Sequence, residues 1–239
     1  MISTDFHSHI LPGMDDGSQT VEESIAMLRL AAEQGITRVI ATPHFYPRYD
    51  TPEEFLARRD AAMARLQKEM AQYHDLPQVT LGAEVYYFHG MSESEALSQL
   101  TIGGKRCILI EMPFGGWTVD MYRELENIWI KRRLIPIVAH IDRYIRPFHT
   151  RGLVDRLAHM PVLVQANAEF FLSRRTAAMA MRLLRADAIH LLGSDCHNTT
   201  TRMPNLGAAL QRIYQKNGDR AMERLEYHED NFWNAYCEL

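Results

Sequence analysis

The stretch TDFHSHILPGMDDGS, residues 4–18, contains two histidines two positions apart, followed within a few residues by two adjacent carboxylates. Residues two apart in a β-strand point to the same face of the sheet. We therefore expect Asp5, His7 and His9 on one face of a first strand, with a carboxylate of the DDG segment close by. Imidazole and carboxylate groups both bind transition metals, so this stretch predicts a metal site at the end of the strand.

Farther along the chain, short apolar, β-branched runs alternate with longer amphipathic segments, a pattern typical of a parallel sheet with helical crossovers. Seven strands are predicted at 2–6, 38–42, 78–84, 107–112, 135–140, 162–167 and 189–194. Helices are predicted at 20–34, 52–73, 119–132, 150–158, 173–186 and 203–216. No linker or repeat divides the 239 residues. We therefore expect one α/β domain over residues 1–239, a distorted seven-stranded (β/α) barrel of the TIM type.

Chemistry in such barrels collects at the carboxyl ends of the strands, and nearly every predicted strand delivers a histidine or carboxylate there. The candidate metal ligands are His7, His9, Asp16, His44, Glu84, Glu111, His140, Asp195 and His197, with Asp15 as an alternative to Asp16. Any one of them alone would more often be structural or solvated, so the prediction depends on their co-location. Nine ligands exceed the four of a single zinc ion. The set predicts two or three divalent ions, with manganese, iron or zinc as candidates.

Several other residues have simpler interpretations. We expect the histidines at 74, 149, 159 and 228 to be solvated, and His190 to lie at the opposite rim. His89 is left outside the site. Aromatic residues that could wall the site, or simply pack, are Tyr46, Tyr86, Tyr87, Phe88 and Trp117. In the C-terminal segment, Phe232, Trp233 and Tyr236 have helical spacing and are expected to pack against the core.

Composition excludes several classes of protein. The net charge of −4 and the lack of a basic stripe argue against nucleic-acid binding. No signal peptide or bilayer-length apolar run is present. The cysteines at 107, 196 and 237 do not form a disulfide framework. We therefore expect a soluble cytoplasmic protein without membrane insertion.

The segment CHNTTTR, Cys196 to Arg202, formally satisfies C-x5-R, the signature of thiol-based tyrosine phosphatases. That chemistry needs a reactive thiolate and a glycine-rich loop, but no glycine separates Cys196 from Arg202. We therefore disfavour the thiol mechanism. It predicts loss of activity in Cys196→Ser and indifference to chelators, and the metal hypothesis predicts the reverse.

The motifs HSH, DDG, ATPH, GAEVY, LIEMP, VAHIDRY and SDCHNTTTR together resemble the PHP superfamily, named for its polymerase and histidinol phosphatase members. Within it they resemble the metal-dependent bacterial protein tyrosine phosphatases of capsular and exopolysaccharide systems. The resemblance implies a PHP fold and a trinuclear, usually manganese-containing site built from the nine ligands above. It also implies that Arg143 and Arg202 contact the phosphate.

The implied activity is hydrolysis of phosphotyrosine on a protein, the tyrosine-rich tail of a bacterial tyrosine autokinase of polysaccharide export. The hypothesis for the reaction is in-line attack by a hydroxide that bridges the metal ions. A small-molecule phosphoesterase such as histidinol phosphatase is the alternative. Asp142, HFYPRY and PFGGW depart from the branch's usual residues without removing a ligand, and they bear on substrate preference.

Overall fold

The computed structural model describes residues 2–145 and 152–234, in which parallel strands alternate with helices. The strands are β1 (Thr4–Ser8), β2 (Arg38–Ala41), β3 (His44–Phe45), β4 (Gln78–Leu81), β5 (Glu84–Tyr86), β6 (Cys107–Glu111), β7 (Ile135–Val138), β8 (Leu163–Asn167) and β9 (Leu191–Gly193). The helices are α1 (Val21–Glu33), α2 (Pro52–Met70), α3 (Val119–Arg132), α4 (Ile141–Ile145), α5 (Leu153–Leu157), α6 (Ala168–Leu172), α7 (Ala177–Arg185), α8 (Leu206–Asn217) and α9 (Asp219–Asn234). Short 3₁₀ turns occupy Met91–Glu93, Glu95–Gln99 and Ile102–Gly104.

The strands form two parallel ladders in one curled sheet. Six strands are joined in the order β3-β5-β6-β7-β8-β9, and three in the order β1-β2-β4. The first and last strands meet through an isolated bridge between Ser8 and Cys196, where the His9 amide donates to the Cys196 carbonyl at 2.9 Å. The architecture is an α/β half-barrel whose strands all end at the same rim.

The distorted seven-stranded barrel is not confirmed, because the second and third predicted strands are each followed by a further short strand. The strand predicted at 38–42 is observed as β2, and the separate strand β3 follows Pro43, which has no N–H to donate to a ladder. The third breaks at Gly82 and continues as β5, so Glu84 begins a strand instead of ending one. The resulting largest ladder has six strands.

The helix predictions are largely confirmed, with some differences at the boundaries. Helix α1 begins where Thr20 Oγ1 accepts a hydrogen bond from the Glu23 amide at 3.2 Å, a typical N-cap. It ends before Gly35, whose φ of +80° suits glycine. The helix predicted at 173–186 begins only at Ala177. Helices α4, α6 and α9 were not predicted, and the start of the 150–158 prediction lies outside the described residues.

The C-terminal helix α9 packs against the underside of β1. Phe232 is fully buried and meets Phe6 edge-on, with ring centroids 4.8 Å apart, and Trp233 Nε1 donates to Thr4 Oγ1 at 3.1 Å. The expected core packing is thus confirmed for both residues, and Tyr236 lies outside the described part. The prediction that His228 is solvated is wrong: the side chain is buried against Asp187, with Nε2 3.1 Å from Oδ1. His149 and Cys237 also fall outside the described ranges.

Glu229 ties α9 to the first strand. Its buried carboxylate accepts hydrogen bonds from the amide and hydroxyl of Ser3 and, at 2.6 Å, from Thr4 Oγ1.

Among the described helices, none is long and apolar enough to cross a membrane.

Replacing Glu229 is expected to loosen this attachment. Hydrogen bonds to a charged group contribute roughly 1.5–3 kcal/mol, so Glu229→Ala should lower the free energy of unfolding by about that amount in urea denaturation. Glu223→Ala, an exposed position on the same helix, is the control and should change it by less than about 0.5 kcal/mol. Equal effects of the two substitutions would contradict the role assigned to Glu229.

Candidate metal centre

The nine predicted ligands converge at the carboxyl rim of the sheet, with Glu84 in the middle. Its Oε2 atom lies 3.1 Å from His7 Nε2, 3.3 Å from His9 Nε2 and 3.0 Å from His44 Nδ1. Its Oε1 atom lies 2.8 Å from His140 Nε2. Four imidazoles therefore surround this carboxylate. Because Glu84 is only 1% exposed, water hardly reaches it.

In the part of the chain that the structure describes, three groups of potential ligand atoms are close enough to share a cation, and in each the atoms lie within 4.8 Å of one another. The groups are His9, Asp16, His44 and His197; His7, His9 and Asp195; and His44, Glu84 and Glu111. His9 belongs to the first and second groups and His44 to the first and third, so the three groups adjoin one another. His140 adjoins the third group, with Nε2 3.5 Å from Glu111 Oε1.

Hydrogen bonds on the far side of three histidines fix which ring nitrogen faces the pocket. The Nδ1 atoms of His7, His9 and His197 face the Gln165 side-chain oxygen at 3.3 Å, the Asp15 carboxylate at 2.7 Å and the Asp195 carbonyl at 2.9 Å. Since these oxygens only accept, each Nδ1 carries a proton, and each Nε2 presents a lone pair inward once the ring is neutral. This outer support is typical of metal-binding histidines.

Three inward-facing atoms lack hydrogen-bond partners. His44 Nδ1, Glu84 Oε2 and His197 Nε2 are buried without a hydrogen bond, and the Nε2 atoms of His7 and His9 lie 3.2 Å apart, where two neutral Nε2 acceptors could not bond to each other. Buried polar atoms normally have a hydrogen-bond partner. Imidazole nitrogens and carboxylate oxygens that lack one, and that can donate a lone pair to a cation, form the kind of site that divalent metals occupy. The residues present therefore fit the metal ions that the sequence predicts.

Asp15 and Asp16 have different surroundings. Asp15 is turned away from the pocket centre and accepts hydrogen bonds from His9 Nδ1, the His44 amide at 2.8 Å and the Gly17 amide at 2.9 Å. Asp16 has a 67% exposed side chain, and its Oδ1 lies 3.3 Å from His197 Nε2. Asp16 thus has a carboxylate available as a ligand, while Asp15 orients two histidines.

Strand alternation does not account for Asp195 and His197, the last pair of predicted ligands. β9 already ends at Gly193, and Asp195 adopts a φ of +53°, as His140 after β7 adopts +29°. Left-handed backbone at non-glycine residues is strained and is concentrated at functional sites. At Gly193 a Cβ would lie 2.5 Å from His7 Cβ, so only glycine lets the two chains approach this closely.

The pocket's carboxylates shift the pKa values of its histidines. Burial opposes the charged form of His9, but Asp15 and Glu84 outweigh it and raise the pKa to about 10. Burial likewise opposes charge on His140, and Glu111 and Glu84 raise its pKa to about 9. Burial and the neighbouring His9 lower the pKa of His197 to about 4. Protons on His9 and His140 thus balance the carboxylates, and a cation binding there would displace them.

Arg143 and Arg202 both lie at the rim beside Asp195. Arg143 Nη2 donates to Asp195 Oδ2, and Arg202 Nη2 lies 2.8 Å from Oδ1. Their side chains are 32% and 38% exposed. Asn167, which was not predicted as a site residue, holds the same carboxylate from β8, with Nδ2 2.9 Å from Oδ2. Its position at a strand end is the signal that could have identified it.

The aromatic candidates divide into two sets. Tyr46 stacks on His44, with ring centroids 5.1 Å apart, and Tyr86 lies 5.5 Å from Tyr46. Tyr87, Phe88 and Trp117 instead pack against the hydrophobic core. Phe114 lies beside His140, with the two ring centroids 6.4 Å apart, and its side chain is 45% exposed. The sequence does not predict Phe114 as one of the aromatic residues at the site.

Cys196 is unsuited to nucleophilic chemistry. The residue is 2% exposed and belongs to the hydrophobic core. Burial, with the nearby Asp5 carboxylate, raises the pKa of the thiol far above its usual range. A protonated, enclosed thiol cannot act as the thiolate that C-x5-R chemistry needs.

The chain belongs to the capsular polysaccharide synthesis CpsB/CapC family, whose model matches residues 3–232. The tyrosine-protein phosphatase CpsB of Streptococcus pneumoniae is 30% identical over 231 residues, covering 92% of this chain and 93% of that protein. The tyrosine-protein phosphatase YwqE of Bacillus subtilis is 35% identical over 208 residues, covering 83% of this chain and 78% of that protein.

A solved structure from a study of YwqE of B. subtilis and CpsB of S. pneumoniae, described as unique metal-dependent tyrosine phosphatases, has a TM-score of 0.84. It is 27% identical and covers 97% of this chain and 94% of that one. The HisK structure from Listeria monocytogenes, at 12% identity and a TM-score of 0.52, shares the fold alone.

Removing the central carboxylate should abolish cation binding. Glu84→Gln keeps the volume of the side chain but removes the charge that four imidazoles face, so the purified variant should retain at most about a tenth of the bound divalent metal. Elemental analysis measures the metal content, and the exposed Glu93→Gln is the matched control. Full metal content in Glu84→Gln would contradict the central role of this carboxylate.

Proposed function

We propose that this chain is a metal-dependent protein tyrosine phosphatase. The observation that carries the proposal is the buried set of unpaired imidazole and carboxylate atoms around Glu84, in a chain whose relatives are named tyrosine-protein phosphatases. We assign the metal ligands as His7, His9, Asp16, His44, Glu84, Glu111, His140, Asp195 and His197. We further propose two or three ions, manganese by preference, in a single catalytic domain.

Divalent ions held there would polarise phosphoryl oxygens and lower the pKa of water. The chain's own residues contribute charge and orientation. Arg143 and Arg202 project from the same rim, and their guanidinium groups suit bidentate binding of phosphate oxygens. Both now pair with Asp195, so each is held at the pocket before a substrate arrives and loses little side-chain entropy on binding it.

The proposed substrate is phosphotyrosine on a protein, and the proposed partner is a bacterial tyrosine autokinase of polysaccharide export. The family's connection to capsular polysaccharide synthesis supports this choice. Phenolate is a fair leaving group, so the reaction does not require a strong general acid. The relatives' names favour this function over histidinol phosphatase, since the HisK likeness extends to the fold only.

Metal dependence separates the two phosphatase mechanisms. We expect hydrolysis of a phosphotyrosine peptide to fall at least about a hundredfold on chelation and to return with added manganese. Cys196→Ser should keep wild-type activity, because the thiol lies in the core. Released phosphate is the readout, and elemental analysis confirms metal removal. Activity that survives verified metal removal, or that is lost in Cys196→Ser with native stability, would contradict the proposal.

The exposed ring of Phe114 offers a surface for the phenyl group of the substrate. Aromatic contacts contribute about 0.5–1.5 kcal/mol, so Phe114→Ala should raise KM for phenyl phosphate several-fold. KM for an alkyl phosphate such as glycerol phosphate should stay unchanged. Val119→Ala, an exposed apolar position at the start of α3, is the control. Equal effects on both esters would refute a contact with the phenyl ring.

A further inference from the structure

A groove lined by basic side chains runs over the helical surface between α7, α8 and the start of α9. It has two connected parts, of about 410 Å³ and 200 Å³, which share Arg185 and Asn217. The cationic groove is defined by six side chains: Arg174, Arg185, Arg212, Lys216, Arg220 and Arg224. Within the described ranges, no aspartate or glutamate lines either part.

The six positive charges have no carboxylate partner in the groove. Among the described residues, no aspartate or glutamate oxygen forms an ion pair with any of them within 4.0 Å. The chain as a whole carries a net charge of −4, so this excess of positive charge is local. Such a concentration of like charge attracts an oppositely charged partner.

Three of the arginines are held in place by oxygen atoms that carry no full charge. Arg212 Nη1 donates to the Leu172 carbonyl at 2.7 Å, and Arg185 Nη1 donates to Asn217 Oδ1 at 2.8 Å. Arg224 Nη1 donates to the Arg185 carbonyl at 2.5 Å. The guanidinium groups are thus oriented while their charge remains available to a ligand.

The groove has a buried apolar floor and runs along the helices. Ala177, Met181, Leu184 and Ala221 line it and are each buried. The nine residues of α7 extend over about 14 Å, a length that about four residues of extended chain would span. The Arg174 end follows α6, which begins directly after Asn167 at the metal rim.

We propose that the cationic groove docks an acidic segment of the protein substrate, outside the phosphotyrosine that is hydrolysed. This inference rests on the proposed phosphatase function for the identity of the partner. A peptide suits the groove better than a nucleic acid, because none of the described residues that line it has an aromatic side chain for base stacking. A membrane is disfavoured because the apolar residues form the floor and do not project outward.

The test measures binding and catalysis separately. The groove variant carries Arg185→Gln, Lys216→Gln and Arg220→Gln, all at exposed positions. The control variant carries Arg29→Gln, Lys68→Gln and Arg123→Gln, which remove the same charge from exposed positions on α1, α2 and α3. The probe is a fluorescent peptide of eight glutamates without phosphotyrosine, and fluorescence anisotropy gives its Kd.

The groove variant should bind this peptide at least about tenfold more weakly than the native protein, and the control variant within about twofold of it. KM for a phosphotyrosine peptide with an acidic extension should rise in parallel in the groove variant. Hydrolysis of p-nitrophenyl phosphate should be unchanged in both variants. Equal weakening in the groove and control variants, or no weakening, would overturn the proposal.

Two further results separate this inference from the proposed function. Groove-dependent peptide binding by a protein without phosphatase activity would refute the proposed function but support docking of an acidic segment. Tighter groove-dependent binding to a single-stranded oligonucleotide, or to vesicles containing phosphatidylserine, than to the acidic peptide would contradict the choice of partner.

Discussion

The buried carboxylate of Glu84 is the constraint around which the rest of the site is arranged. A carboxylate taken out of water at 1% exposure carries a large desolvation cost that only opposite charge and well-placed donors can offset. Four imidazoles supply part of that compensation, yet Oε2 still lacks a hydrogen bond. The same arrangement leaves inward lone pairs on several histidines, so cations are the natural complement of the pocket.

The fold meets this requirement by ending its parallel strands at one rim. The consequence is local irregularity: Pro43 and Gly82 interrupt two strands, and His140 and Asp195 take up left-handed backbone. Each irregularity lies at a proposed ligand or within two residues of one. The regular interior of the sheet is apolar and buried, and it supplies the stability that allows such strained residues to persist at the rim.

Much of the site could be predicted from the sequence because most of its residues lie at or just beyond the carboxyl ends of strands with clear apolar patterns. The position of His7 and His9 follows from alternation in β1 alone. The position of Asp195 does not, because its backbone leaves the strand after Gly193. The supporting role of Asp15 depends on the loop that turns it toward the His9 and His44 groups, and residue spacing does not encode that orientation.

The fold was less predictable where long-range contacts decide the outcome. Helix α9 is rich in charged residues, and what fixes it is the burial of Phe232 and the bonds from Glu229 to the first strand. The sequence predicts a solvated His228 for the same reason, since its partner Asp187 is 41 residues away. The predicted barrel requires hydrogen bonding that continues from each strand to the next. The chain interrupts this bonding at Pro43 and Gly82.

The central claim is that the unpaired atoms around Glu84 hold divalent cations, and anomalous diffraction tests it most directly. Crystals grown with manganese, measured on both sides of the manganese absorption edge, should show two or three anomalous peaks. Each should lie within coordination distance of the imidazole and carboxylate atoms assigned here. Peaks confined to surface carboxylates, with a metal-free pocket at saturating manganese, would contradict the account.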